Sequence, residues 1–174
     1  MTTATRTRPH ARVGRGTRRA LLVAHIVASG AWIGIDVVLG VLVFTALSSD
    51  TAAAALCLQV LPLLFWPVLI AGLISLVTGI ALGLGTRYGL LRYWWVAVKL
   101  VINLVLVVLV ALVLRGGLDE AAARSAAGGP DAVEGLDTLV FPPVVSITLL
   151  VAATVLAVVK PWGRIPASKR SHAP

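Results

Sequence analysis

The chain has one cysteine, one methionine and seven acidic residues in 174 positions, and each scarcity removes a class of chemistry. A lone Cys57 forms neither an intrachain disulfide nor a CxxC redox or metal motif. The one methionine is Met1, so no methionine-lined copper path runs through the chain. Of the three histidines, His10 and His172 lie in the terminal tails, which leaves His25 alone inside an apolar run. No GxSxG, HExxH or P-loop pattern occurs, so hydrolase and nucleotide-binding signatures are missing. The stretch 83–89 is glycine-rich but has no following Lys-Ser/Thr, and reads as a short turn.

Charge is scarce too. Residues are 59% hydrophobic and 13% charged, with mean hydropathy +0.98, which lies outside the range of a soluble domain. Apolar runs of 18 or more residues make this an integral membrane protein. A net charge of +8 raises nucleic acid as a partner. The distribution argues against it, because the basic residues sit in tails and a short loop and not on a folded face with interleaved aromatics. The expected partners are the bilayer itself and anionic lipids, met by the arginine-rich tail (Arg6, Arg8, Arg12, Arg15, Arg18, Arg19).

Four spans are expected, at about 20–47, 59–84, 94–114 and 138–159, within a membrane domain covering 20–163. Residues 1–19 show no apolar period and are expected to form a disordered basic tail, with 164–174 a second tail. A basic segment before an apolar run is also the layout of a signal peptide, but this run is about twice a typical h-region's length and three spans follow. Ala52 to Leu58 restarts a helix, Pro62 and Pro67 predict a kink, and Arg115 to Asp137 is the longest hydrophilic loop, with a short helix near Leu118 to Ala127. Tyr93-Trp94-Trp95 and Lys160-Pro161-Trp162-Gly163 are suited to the membrane interface.

Orientation follows from the basic residues. Twelve of the fifteen lie in the two tails or the 85–93 loop, whereas the opposite loops hold Arg115, Arg124 and every acid except Asp36. The positive-inside rule then puts both termini in the cytoplasm. The expected fold is all-α, a four-helix transmembrane bundle, multi-pass in the plasma (inner) membrane.

The first span carries the residues of interest. At about 100° per residue, His25, Ser29, Trp32 and Asp36 share one narrow stripe, and Gly30 and Gly34 form a GxxxG pair on the other side. Gly72, Ser75, Gly79 and Gly83 make a small-residue ridge on the second span, a natural counterpart for the Gly30–Gly34 notch. On the third span, Lys99 and Asn103 share a face with Trp95, and Lys99 is level with His25. Asp36 lies roughly 15 Å deeper than Lys99 by helical rise, so a direct pair needs a strong tilt, and Lys99 reads as a snorkelling anchor.

Each residue has a functional and a structural reading. Asp36 either handles protons or cations, or is hydrogen-bonded to a neighbour and pins the bundle. His25 either ligates haem or relays protons, or bonds an adjacent helix; bis-histidine haem needs a second copy of the chain. The outer acids Asp119, Glu120, Asp131, Glu134 and Asp137 lack EF-hand spacing, and a loop poor in basic residues is what the topology requires. No metal site and no resident cofactor is expected.

Three stretches carry a resemblance: AHIVASGAWIGID in the first span, GTRYGLLRYWWVAVKL entering the third, and VVKPWG closing the fourth. Over about residues 20–163 they resemble a group of small four-span actinobacterial membrane proteins, which implies class and topology but no activity. The His25-x6-Trp32-x-Gly34 spacing more loosely resembles copper-resistance D-type membrane domains, though the further histidines and methionines are missing. The leading expectation is a non-enzymatic accessory or structural subunit, homo-oligomeric or bound to another membrane subunit, acting by helix packing. The alternatives are a small transporter or proton-coupled component using Asp36, and a haem- or quinone-associated redox subunit using His25.

Overall fold

The computed structural model describes residues 14–49, 51–85, 93–127 and 136–159. All four expected spans are helical: α1 (Arg15–Ser48), α3 (Phe65–Gly85), α4 (Trp94–Leu109) and α6 (Phe141–Val159). Two further helices, α2 (Thr51–Val60) and α5 (Arg115–Ala127), extend the second and third spans at one end of the bundle. The chain is therefore an all-α bundle with four helices long and apolar enough to cross a membrane. Helix α1 lies beside α3 and α6, and α4 closes the ring between those two.

The boundaries differ from the sequence expectation in three places, each for a physical reason. Helix α1 starts at Arg15 and not at Ala20, because Arg15 to Arg19 contain good helix formers and no proline. The first turn closes through Arg18 N–H donating to Gly14 O at 2.9 Å. Helix α2 runs into α3 through a single 3-10 turn, Leu61–Leu64. Pro62 sits in that turn, and Phe65 N–H donates to its carbonyl. The predicted proline kink is thus a local tightening, and the helical path continues.

The third difference is larger. The third span does not stop at Leu114 but continues through a π-helical turn, Val110–Leu114, into α5. Gly116 and Gly117, which read as loop, stay helical because Leu118 and Ala121 are buried in the same core as Ala54, Leu58 and Leu61. Gly117 approaches Leu139 closely; a Cβ there would lie 3.3 Å from Leu139 Cδ2. Ser125 Oγ donates to Ala55 O at 3.3 Å, which ties α5 to α2. On the outside of α5 the ion pairs Arg115–Asp119 (3.6 Å) and Glu120–Arg124 (2.5 Å) each span one turn, and such pairs contribute about 0.2–0.5 kcal/mol.

Three of the helical runs are 34 residues long, about 50 Å, against a hydrocarbon core of about 30 Å. In the second and third of these runs the excess is α2 and α5, which pack together. Residues 86–92, the tails 1–13 and 160–174, and 128–135 with Asp131 and Glu134 lie outside the described residues. Valine, leucine and isoleucine side chains face outward all along the spans, among them Val23, Ile26, Val41, Val77, Val101 and Val155. An outer surface of that kind requires lipid around it.

At the centre of the ring, Trp32 is fully buried. Its indole lies against Gly72, where a Cβ would come 2.9 Å from Cζ3, 3.0 Å from Cη2 and 3.2 Å from Val107 Cγ2. Replacing Gly72 by alanine forces one of three packed helices outward. We expect Gly72→Ala to cost about 1–3 kcal/mol in reversible detergent unfolding. Gly30→Ala, with open space around it, should change the midpoint little. Equal behaviour of the two variants would contradict this packing.

Candidate functional site

The polar stripe of α1 faces inward and meets polar groups on α3 and α6, and through Ser75 of α3 it is linked to α4. Ser75 on α3 is the hub. Its hydroxyl lies 2.9 Å from Ser29 Oγ and accepts an N–H from Asn103 Nδ2 at 3.1 Å. Ser75 is buried, so this exchange joins α1, α3 and α4 where water does not reach. The Ser75 carbonyl lies 2.9 Å from His25 Nδ1, and Thr78 Oγ1 lies 3.1 Å from the same nitrogen. Thr78 Oγ1 donates its own hydrogen back along α3, to Ile74 O at 2.6 Å.

One turn beyond Trp32, Asp36 is buried against α6, where Ser146 Oγ donates to Asp36 Oδ2 at 2.5 Å. A turn further, Gly40 packs on Pro143, with a Cβ position 3.7 Å from the proline ring. The interior therefore has two polar layers, His25–Ser29–Ser75–Thr78–Asn103 and Asp36–Ser146, with the Trp32 indole between them. Two buried polar atoms in this region, Trp32 Nε1 and Asn103 Oδ1, have no hydrogen-bond partner among the described residues.

Lys99 takes no part in either layer. Its ammonium lies over the Trp95 ring, 5.7 Å from the centroid, near the start of α4. The ion pairs among the described residues are those of α5, so Asp36 and Lys99 do not meet, as their different depths predicted.

The glycines divide into two groups. Gly72 receives Trp32 and Gly79 receives the His25 ring, whose Cε1 would be 3.2 Å from an added Cβ, while Gly83 is buried in α3. Among the described residues nothing lies within 4 Å of the Cβ positions of Gly30 and Gly34. The expected pairing of the two glycine faces is corrected here: the α3 ridge packs on the aromatic rings of the α1 stripe, and the Gly30–Gly34 notch opens outward.

Sequence reasoning missed the roles of Ser75, Thr78 and Ser146. By spacing Ser75 is one small residue of a packing ridge, whereas its hydroxyl is the bonding hub. Thr78 is three residues on, so it shares that face. Ser146 shares its span with Thr148 and Thr154, so the sequence carries no signal that separates it from those hydroxyls, and only its contact with Asp36 identifies it. Among the described residues no three of His, Cys, Asp and Glu gather as a metal group. Comparison with known protein families, curated proteins and solved structures gives no match to this chain.

Removing the hub should cost more than removing a spoke. Ser75→Ala leaves both Ser29 and Asn103 without that partner, and a loss of about 1–2 kcal/mol is expected on unfolding in bilayer-like micelles. Ser29→Ala keeps the Asn103–Ser75 bond and should cost about half as much. A larger loss for Ser29→Ala would overturn the assignment of Ser75 as hub.

Proposed function

We propose that the chain is a non-enzymatic membrane subunit that assembles, through the outward face of α1, with a transmembrane helix of another polypeptide or of a second copy. The observation that carries this reading is the open Gly30–Gly34 notch. Van der Waals packing of small residues drives helix association in lipid, where apolar side chains gain nothing by leaving the acyl chains. The interior polar groups, by contrast, are largely consumed in bonds to one another and hold the bundle together. Charge supports placing the Arg15 end, with both termini, at the cytoplasmic face of the plasma membrane, where anionic lipids meet Arg15, Arg18 and Arg19. The resemblance to small four-span actinobacterial membrane proteins agrees with this membrane placement.

Leucine at both notch positions tests the proposal. Gly30→Leu with Gly34→Leu should leave the stability of the isolated chain within about 1 kcal/mol, since among the described residues both Cβ positions open on free space. The same variant should lose its oligomer or partner in native mass spectrometry of detergent extracts. Unchanged assembly would overturn the role given to this face.

A second reading rests on Asp36. Its carboxyl is buried with a single hydroxyl partner and no cation in contact among the described residues. A carboxyl so placed is suited to exchanging a proton with a small permeant. Asp36→Asn keeps an acceptor for Ser146 and should preserve the fold. Proton uptake by chain-loaded liposomes after a pH jump should fall to the level of empty liposomes. Uptake equal to that of the unmodified chain would eliminate this reading.

A further inference from the structure

We infer that His25 offers a free imidazole lone pair at Nε2, at the basic end of the bundle, as a binding position for a lipid-soluble phenol or hydroquinone head. A backbone carbonyl only accepts, so the 2.9 Å contact between His25 Nδ1 and Ser75 O requires a hydrogen on Nδ1. Thr78 Oγ1, the second neighbour of that nitrogen, has spent its own hydrogen on Ile74 O and also faces Nδ1 as an acceptor. Both contacts demand the same tautomer. In the neutral ring the lone pair is then on Nε2.

Among the described residues Nε2 has no hydrogen-bond partner, and the His25 side chain is only half-buried. Gly79 is what allows this placement, because the ring edge at Cε1 lies over it and any larger residue would push the imidazole away. The imidazole is thus fixed on one side and open on the other. This geometry also excludes a proton wire through His25. A proton taken at Nε2 meets, at Nδ1, only a carbonyl and a hydroxyl already donating elsewhere. The residue binds and releases at a single atom.

The surroundings select the ligand. His25 lies six residues past Arg19, about 9 Å along the helix, and the flanking side chains of Leu22 and Ile26 are exposed on the outer surface. A molecule reaching Nε2 there must dissolve in lipid and must donate a hydrogen bond. Phenolic hydroxyls are strong donors that satisfy both conditions. Lys99, level with His25 by helical rise, holds its ammonium over the Trp95 ring and adds a cation and an aromatic face at the same end of the bundle. This inference is independent of the use made of the Gly30–Gly34 notch.

The test uses the full chain with 15N-labelled histidine, His10→Gln and His172→Gln, in phosphatidylcholine nanodiscs, whose lipid has no hydroxyl donor. At mildly alkaline pH the nitrogen spectrum should report a hydrogen on Nδ1 and none on Nε2; the opposite tautomer overturns the proposal. A short-tailed benzohydroquinone should then shift the Nε2 resonance saturably. The matching benzoquinone, which lacks the donor, should bind about tenfold more weakly. No saturable shift, equal affinity for both redox forms, or the same shift on adding phosphatidylglycerol alone would each refute the hydroquinone assignment. Thr78→Val provides a check that does not disturb the ring: the Ser75 carbonyl remains, so tautomer and binding should persist.

Discussion

Trp32 can occupy the centre of the bundle only because position 72 has no side chain. The largest residue of α1 and the smallest of α3 meet at the midplane, and Val107 of α4 touches the same point. That contact sets the spacing of three helices together. It also sets their register, because Ser29 lies three residues before Trp32, Ser75 three after Gly72, and Asn103 four before Val107. Once the indole is seated, these three polar side chains are one helical turn away on the same side, and their hydrogen bonds follow. Packing and polar satisfaction are therefore one solution in this bundle, not two competing requirements.

The polar layers show how a lipid-soluble fold carries groups that lipid rejects. Serine, threonine and asparagine give hydrogen bonds across the helix interfaces, and such bonds contribute about 0.6 kcal/mol on average within membranes. Their larger effect is exclusion of alternatives. A one-residue slip of α3 past α1 would leave Ser29, His25 and Asn103 facing methyl groups. Asp36 enforces the same discipline on α6, whose hydroxyl at Ser146 is the match for the carboxyl.

Much of this was legible in the sequence. Four spans follow from apolar length, and the sharing of one face by His25, Ser29, Trp32 and Asp36 follows from the helical period alone. The depth mismatch of Asp36 and Lys99 also came from counting residues. What periodicity does not contain is the neighbour. It places Ser75 and Gly72 on one face without saying that an indole and a serine will meet them, and it gives no reason to single out Ser146 from another helix. Helix ends failed for a related reason. Gly116 and Gly117 have low helix propensity, yet burial of Leu118 and Ala121 against α2 outweighs that cost, and only the tertiary contact reveals it.

The destination of Gly30 and Gly34 yields to a further physical argument. Helix α1 has two faces that favour close packing, one polar and aromatic, the other glycine, and they lie roughly 150° apart around the helix. A helix in a four-membered ring buries less than half its circumference, so only one of them turns inward. Facing the stripe to lipid would leave a carboxyl and an imidazole in hydrocarbon, at several kcal/mol. Facing two glycines to lipid forfeits only dispersion contacts. The polar face therefore takes the interior, and the glycine face becomes the outer surface of α1 because nothing inside the chain can compete for it. An unfilled GxxxG notch in a small bundle thus follows from burying Asp36 and His25. Sequence reading that weighs the two faces against each other predicts the outcome that spacing alone left open.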